Sequence, residues 1–273
     1  MPEGPEIRRA ADMLASALSG HELVHVEYRV PGLARRGASL AGRHVRRAYA
    51  RGKALLVDFD GELTHYSHNQ LYGRWQVTAG CDTQDESRTV RVVLATARHT
   101  ATLYAATQIA LLPTTGIERH PYLAGLGPDA LDVATTQAMV RARLTHARFA
   151  GRSLGSLLLD QGFVAGLGNY LRSDILFVAG VHADLRPRDL SAKQLGVLAR
   201  AILSLPRRSY RTGGITNDAP RVRAARREGV AREDYRFQVY GREKLPCWVC
   251  GTRITRTDRG GRGVYECVAC QRR

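Results

Sequence analysis

Residues 54–66 read ALLVDFDGELTHY, two short apolar runs on either side of an Asp-Gly-Glu turn. The same alternation of apolar-polar runs with turn residues extends from residue 22 to about residue 106, which is the pattern of short strands. Short strands with turns at roughly ten-residue spacing are typical of a β-sandwich. The predicted strands are residues 23–30, 44–49, 54–59, 63–66, 75–78, 90–95 and 100–105.

The second half of the chain changes to a helical pattern after a connector rich in proline and glycine between residues 113 and 128. Apolar residues then recur at helical spacing around Leu154, Leu157 and Leu158, and again over residues 171–178. The last regular helix is predicted at about residues 192–203, because Pro206 follows it. Residues 207–227 are rich in glycine and arginine without periodicity, which predicts a mobile loop.

Four cysteines near the end of the chain form two C-x-x-C pairs, Cys247 with Cys250 and Cys267 with Cys270. This spacing is typical of a zinc site. Such a site would be structural, because four thiolates leave no coordination position open for an activated water. A pair of disulfides is the alternative. The fifth cysteine, Cys81, stands alone in a polar stretch and is predicted to be an incidental free thiol.

The stretch between the two cysteine pairs combines threonines and glycines with arginines at positions 253, 256, 259 and 262. It predicts a β-hairpin with arginine at its tip, where phosphate contact is the natural use and a solvated charge run the alternative. The whole pattern is that of an α+β protein. We expect an N-terminal helix plus β-sandwich domain over residues 1–129, a helical domain over residues 130–228 and a zinc finger over residues 229–273.

The charge balance points to a polyanionic partner. The chain has 41 Lys+Arg and 25 Asp+Glu residues, a formal net charge of +16. Nucleic acid fits better than a membrane, since no apolar stretch of about 18 residues occurs and the start lacks the layout of a signal peptide. We expect a cytoplasmic protein, and a monomer because no self-pairing segment is evident.

Lysine is rare in this chain, with Lys53, Lys193 and Lys244 as its only representatives. Where nearly every cation is arginine, a lysine is a pointer to chemistry, because an ammonium can give up a proton and a guanidinium cannot. Lys53 directly precedes an apolar run and is therefore a candidate. An exposed lysine at a strand end is the alternative.

Residues 2–6 read PEGPE, so that removal of Met1 would expose the secondary amine of Pro2 with the carboxylate of Glu3 beside it. A terminal amine has a reference pKa of about 8, so part of it is unprotonated near neutral pH and able to form a Schiff base. The same residues also predict a helix, since Pro5 suits a first helical turn. The inward face of that helix would comprise Ile7, Ala11, Leu14 and Leu18.

Two further segments carry candidate nucleic-acid contacts. Residues 166–172 read GLGNYLR, a glycine-bracketed turn that opens a helix, where backbone N–H groups can bind phosphate. Asn169 in this turn could equally be only a helix N-cap. Residues 67–73 read SHNQLYG, a polar tip between two strands. Leu71 on this tip could wedge into a base stack or make a small core contact.

These motifs occur in an order that resembles the Fpg/Nei family of DNA glycosylases over the whole chain. Residues 2–6 are similar to the amino terminus of that family, residues 166–172 to its helix–two-turn–helix element, and the four cysteines to its C-terminal zinc finger. Gln70, Leu71 and Tyr72 resemble the insertion triad of the endonuclease VIII branch. Gly4 replaces the leucine that is usual in the formamidopyrimidine branch.

The resemblance implies a bifunctional DNA glycosylase and AP lyase of base-excision repair, which flips an oxidised pyrimidine out of duplex DNA and cuts the strand by β- and δ-elimination. The implied catalytic residues are Pro2, Glu3, Lys53 and Arg262; the implied DNA contacts are Gln70, Leu71, Tyr72 and Asn169; the implied ligands of one structural zinc ion are Cys247, Cys250, Cys267 and Cys270.

Three other interpretations stay open. The purine-directed formamidopyrimidine branch would keep the mechanism and change the base pocket, which residues 207–227 would line. A catalytically silent DNA-damage-binding protein would keep the fold and the zinc finger. An RNA-associated zinc-ribbon protein would use the charge equally well but leaves the Pro2-Glu3 start unexplained.

Overall fold

The structure is a computed structural model that describes residues 2–80 and 87–272. It divides into two compact units, Met1–Gly125 and Leu126–Arg273. Cys81, the expected free thiol, lies outside the described residues. The division of the chain into three parts at residues 129 and 228 stays a prediction.

Helix α1 spans Gly4–Leu18 and opens the N-terminal unit. Glu3 is its N-cap, and the Glu6 carboxylate accepts a hydrogen bond from the Glu3 backbone N–H at 3.0 Å, as in a capping box. Pro5 lies in the first turn, where a missing N–H breaks no helical hydrogen bond. The predicted inward face is confirmed, because the buried residues of α1 include Ile7, Ala11, Leu14 and Leu18.

The body of this unit is a β-sandwich, as predicted. Its strands are β1 (His25–Tyr28), β2 (Val45–Arg51), β3 (Ala54–Phe59), β4 (Leu63–His68), β5 (Arg74–Ala79), β6 (Val90–Ala95), β7 (His99–Tyr104) and β8 (Gln108–Pro113). They form two antiparallel sheets with the orders β1-β6-β7-β5 and β2-β3-β4-β8. Helix α1 packs against β2 and β3, and its Ile7 and Leu14 share one core with Trp75 and Leu94.

Strand β8 is absent from the sequence prediction, which assigned Pro113 to a connector. The structure pairs residues 108–113 with β4, with Pro113 opposite Leu63. Proline is tolerated there because β8 is an edge strand and Pro113 is its last residue. The unit also contains helix α2 (Ala34–Ala38), a 3-10 helix (Thr114–Arg119) and helix α3 (Pro121–Ala124).

The C-terminal unit is mainly helical and ends in a β-hairpin. Its elements are α4 (Gln137–Thr145), α5 (Ala147–Ala150), α6 (Leu154–Leu157), α7 (Asn169–Ala179), a 3-10 helix (Pro187–Asp189), α8 (Ala192–Arg211), α9 (Ala219–Arg227), α10 (Arg232–Tyr235), β9 (Thr255–Arg259) and β10 (Arg262–Glu266). Helix α7 packs against α8 and β10. Within residues 2–80 and 87–272, no helix has both the length and the hydropathy to cross a membrane.

The predicted loop at residues 207–227 is wrong, because α8 continues through Pro206 and α9 follows. Proline in a helix removes one hydrogen bond at a cost of about 3 kcal/mol. The buried face of α8 nevertheless continues past it, with Leu198, Ile202, Leu205 and Ser209 all buried at helical spacing. Tertiary packing of this face offsets the local cost, which the sequence pattern around proline does not reveal.

Candidate active site and metal centre

The first residues of the chain line a cavity of about 610 Å³ within the N-terminal unit. Pro2 and Glu6 contribute from the start of α1, and Leu71 and Tyr72 from the loop between β4 and β5. The remaining lining residues are Ile7, Arg9, Ala10, Met13, Asn69, Gly73, Arg74, Trp75 and Arg88. The structure therefore brings Pro2 together with two residues of the predicted insertion tip.

Glu3 follows Pro2 in the chain and is buried, with 2% of its surface exposed. As the N-cap of α1, it places its carboxyl group at the positive end of the helix dipole. Removal of Met1 would place this buried carboxyl group beside a terminal secondary amine, an arrangement that suits proton donation next to a nucleophile. The two neighbours would then combine the two groups that the predicted amine chemistry uses.

The turn that carries the predicted insertion triad presents its apolar side chains outward. Leu71 is 51% exposed and Tyr72 is 75% exposed, so the alternative of a small core contact for Leu71 is wrong. Gln70 has a left-handed φ of 48°. A Cβ atom on Gly73 would lie 2.5 Å from the backbone oxygen of Asn69, so only glycine fits this close turn.

Lys53 is buried, with 7% of its surface exposed, so the alternative of an exposed strand-end lysine is wrong. It lies between β2 and β3, and its backbone N–H donates to Tyr122 Oη at 2.9 Å. Burial and the positive charge of Lys53 lower the pKa of His68. The Nδ1 atom of that imidazole accepts a hydrogen bond from the Gln70 backbone N–H at 3.2 Å. Lys53 therefore lies near enough to His68 to influence the residue that accepts this hydrogen bond from the insertion tip.

Asn169 is the first residue of α7, and the N-cap is Gly168, so the N-cap interpretation of Asn169 is wrong. Its Nδ2 atom donates to the backbone oxygen of Gly263 at 3.1 Å, and its Oδ1 atom accepts from Arg172 Nη2. Arg172 is 1% exposed and also donates to Gly263 O at 3.1 Å. Asn169 therefore lies beside β10.

Arg262 begins β10 and is exposed at the tip of the predicted hairpin. It pairs across the strands with Arg259, and Gly260 and Gly261 form the turn between them with φ values of 58° and 73°. Two central residues with positive φ are typical of a tight hairpin turn. The prediction of a hairpin with arginine at its tip is confirmed.

Arg172 is a residue that the sequence prediction did not single out. It lies three positions after Asn169, which places both on one side of α7. Its burial and its hydrogen bonds to the hairpin distinguish it from the solvated arginines. In a chain with 41 Lys+Arg residues, no sequence signal separates one buried arginine from the rest.

The four cysteines of the C-terminal unit converge, with all Sγ atoms within 4.8 Å of one another. Cys250 Sγ lies 3.5 Å from Cys267 Sγ and from Cys270 Sγ, and Cys247 Sγ lies 4.0 Å from Cys270 Sγ. A disulfide bond is about 2.05 Å long, so the disulfide alternative is wrong. Metal–thiolate bonds of about 2.3 Å in a tetrahedron place the sulfurs about 3.8 Å apart. The cluster therefore has the geometry to bind a metal ion.

Two family profiles match the chain. Residues 1–108 match the formamidopyrimidine-DNA glycosylase N-terminal domain, and residues 126–220 match the formamidopyrimidine-DNA glycosylase H2TH domain. Endonuclease 8 of Shigella sonnei is 43% identical over 271 residues, an alignment that covers 99% of this chain and 100% of the relative. Endonuclease 8 of Klebsiella pneumoniae is 44% identical over 272 residues with the same coverage.

Solved structures of Lactococcus lactis Fpg share the fold. Its complex with DNA that contains N7-benzyl-Fapy-dG matches with a TM-score of 0.82 and 22% identity over 100% of both chains. Its complex with DNA that contains an abasic site matches with a TM-score of 0.81 and 22% identity over 99% of this chain and 100% of that chain. The family profiles and the full-length relatives show that the chain belongs to the Fpg/Nei family of DNA glycosylases.

Proposed function

We propose that this protein is a bifunctional DNA glycosylase and AP lyase of base-excision repair that removes oxidised pyrimidines from duplex DNA. The observation that carries the proposal is the cavity lined by Pro2 together with Leu71 and Tyr72, with buried Glu3 next in the chain. Relatives that are 43–44% identical over their full length and are named Endonuclease 8 support the pyrimidine-directed branch.

Access to the damaged nucleotide is the first requirement of this chemistry. The sugar C1′ of a stacked nucleotide cannot be attacked within the duplex, so the nucleotide must be flipped out. Gln70, Leu71 and Tyr72 would fill the gap. The exposure of Leu71 and Tyr72 suits this role, because an apolar side chain on an exposed turn can enter a base stack without first leaving a core.

Base removal would use the Pro2 amine, which exists once Met1 has been removed. The amine nitrogen forms a bond to C1′ as the bond from C1′ to the base breaks, and the base leaves with the electron pair of that bond and with the proton that the nitrogen loses. Glu3 donates its proton to the sugar ring oxygen as the bond from C1′ to that oxygen opens. The product is an iminium that joins Pro2 to the sugar.

Strand scission would follow from the iminium, which acidifies the hydrogen on the neighbouring C2′. Loss of that proton expels the 3′ phosphate, and a second elimination expels the 5′ phosphate. We assign Arg262 to stabilising the departing phosphate electrostatically, since a guanidinium stays charged far above neutral pH and is a poor proton donor. Lys53 and Asn169 would bind backbone phosphates.

We assign one structural Zn²⁺ to Cys247, Cys250, Cys267 and Cys270. Three sulfur–sulfur distances of 3.5, 3.5 and 4.0 Å support this ion, which thiolates bind tetrahedrally. The ion would hold together the base of the β9–β10 hairpin. We also propose that the protein acts as a cytoplasmic monomer with three domains, a catalytic sandwich, a helical DNA-binding domain and the zinc finger.

An incision assay tests the proposed function against its alternatives. Duplexes with one thymine glycol, one 8-oxoguanine or no lesion are incubated with the protein, and product ends are resolved on a denaturing gel. We expect cleavage at thymine glycol with phosphate on both sides of the gap. Preferential cleavage at 8-oxoguanine would support the purine-directed branch, and binding without cleavage of any duplex would support a silent damage-binding protein.

A further inference from the structure

The turn of the β9–β10 hairpin gives Arg262 little restraint of its own. Gly260 and Gly261 form this turn, and glycine is the residue with the greatest backbone freedom. Arg259 stands directly opposite Arg262 across the strands. Like charges in this arrangement repel each other. The position of the Arg262 guanidinium therefore depends on contacts that the hairpin makes outside its turn.

Strand β10 is fastened to α7 on the side of Arg262. Arg172 Nη2 donates to the backbone oxygen of Arg262 at 3.4 Å and to that of Gly263 at 3.1 Å. Further along the strand, the Tyr265 backbone N–H donates to Ser173 Oγ at 3.3 Å. These bonds hold the backbone of β10 and leave the Arg262 side chain exposed.

The first four residues of strand β9 are exposed, and Arg259 at its end is partly buried. The Arg259 guanidinium donates through Nη1 to Asp184 Oδ1, in the loop that follows α7. Its Nη2 atom lies 3.7 Å from Oε1 of Glu266, which is 2% exposed on β10. The Nε2 atom of His182, two residues before Asp184, lies 3.4 Å from the other oxygen of Glu266. Arg259 thus joins the tip of β9 to both the loop after α7 and the base of β10.

The Arg259–Asp184 pair has two consequences for Arg262. It supplies β9 with an attachment to the helical part of the unit, which β10 already has through Arg172. It also pairs the charge of Arg259 with a carboxylate, which offsets part of its repulsion of Arg262. An ion pair with side chains that are 29% and 45% exposed adds little to global stability. The main effect of the Arg259–Asp184 pair is therefore on the geometry of the hairpin tip.

We infer that Arg259 is a positioning residue for strand scission, which holds the Arg262 guanidinium in place through the ion pair with Asp184. This inference rests on the proposed role of Arg262. It assigns Arg259 no contact with the reacting atoms. A displacement of about 1 Å can slow a reaction about a hundredfold, so a weak ion pair at a hairpin tip is enough to matter.

The test compares single-turnover rates of base removal and of strand scission for Arg259→Gln, Arg259→Lys, Asp184→Asn and Arg262→Ala. The matched control is Arg188→Gln, which removes one charge from another exposed ion pair of the same unit, that with Asp189. We expect Arg259→Gln and Asp184→Asn to slow scission about tenfold or more while base removal stays within about twofold of the control. Arg259→Lys should retain most of the scission rate.

Asp184→Asn separates positioning from direct phosphate binding, because it keeps the positive charge of Arg259. A normal or faster scission rate in Asp184→Asn would overturn the inference, as would equal loss of base removal and scission in Arg259→Gln. Adding Arg259→Gln to Arg262→Ala should slow scission no further, and additive losses would contradict the inference. If Arg262→Ala itself spares scission, the proposed role of Arg262 fails and the inference falls with it.

Discussion

At the scale of single residues, the proposed chemistry depends on ordinary side chains in unusual surroundings. Glu3 is buried at the start of α1, beside a cavity that Pro2 lines. Lys53 is buried as well. Burial of His68 and the nearby charge of Lys53 lower the pKa of His68, which favours the neutral imidazole that accepts a hydrogen bond from the Gln70 backbone. In both cases the burial of the side chain, together with its residue type, suits it to its proposed role.

Glu3→Gln tests the assigned general acid. The amide keeps the size of the side chain and cannot donate the carboxyl proton, so we expect base removal to slow by about 10²-fold or more. DNA affinity should stay close to that of the unchanged protein. Single-turnover base removal on a thymine glycol duplex, with binding to an uncleavable abasic analogue as the control, measures both. A rate within threefold of the unchanged protein would exclude Glu3 as the acid.

Arg242 offers a test of the metal centre. It is 3% exposed, lies 3.9 Å from the ring centre of Trp248 between the first two cysteines, and donates to Pro246 O at 3.0 Å. Within the described residues no carboxylate lies at ion-pair distance from it. Burial, partly offset by the charge of Cys247, lowers the pKa of Arg242 to about 10. A buried cation of this kind stabilises thiolates.

We therefore expect Arg242→Met to release zinc to a chelator about tenfold faster than the unchanged protein, as for other residues that support metal ligands. Arg188→Met, which removes an exposed arginine of the same unit, should release zinc at the normal rate. A metal-sensitive dye monitors release without reference to catalysis. Equal rates in the two variants would show that Arg242 does not support the site.

At the scale of elements, the sequence was sufficient to predict those helices and strands whose residues follow a local periodic pattern. The sandwich strands, α1 and the cysteine hairpin each carry their own signal of spacing or alternation. Strand β8 and the end of α8 were missed because Pro113 and Pro206 were taken as breaks, whereas tertiary packing tolerates both. The roles of Arg172 and Arg259 come from contacts about 90 and 75 residues distant in sequence, which no local pattern encodes.

Asp174 on helix α7 is fully buried and attaches the helix to Thr216 and to residues 238–240. Its carboxylate accepts hydrogen bonds from the backbone N–H groups of Gln238, Val239 and Tyr240 at 2.9 to 3.1 Å, and from the Thr216 hydroxyl. Asp174→Ala leaves these donors unsatisfied in the core. Each buried donor without a partner costs about 1–3 kcal/mol.

We expect Asp174→Ala to lower the free energy of unfolding by about 3 kcal/mol or more. Asp234→Ala, a change at an exposed position on α10, should alter it by less than about 0.5 kcal/mol. Urea unfolding followed by circular dichroism provides the comparison. Similar midpoints for the two variants would contradict the anchoring role of Asp174.

At the scale of the whole molecule, charge governs the encounter with DNA. The net charge of +16 predicts that binding releases many counterions. With six or more phosphate contacts, affinity should fall about 10³-fold or more between about 50 and 200 mM salt. Fluorescence anisotropy with a fluorescein-labelled duplex that carries an uncleavable abasic analogue measures the slope of log affinity against log salt concentration. Arg262→Ala should reduce the magnitude of this slope by about 1. An affinity independent of salt would contradict a binding mode based on phosphate contacts.

The central claim is that the Pro2 amine forms a covalent bond to damaged DNA. Borohydride trapping on a thymine glycol duplex tests it most directly, once intact mass has shown that Met1 is absent from the protein used. We predict a protein–DNA adduct that peptide mapping places on Pro2. An adduct on Lys53 or another lysine, or no adduct from protein that lacks Met1, would contradict the account.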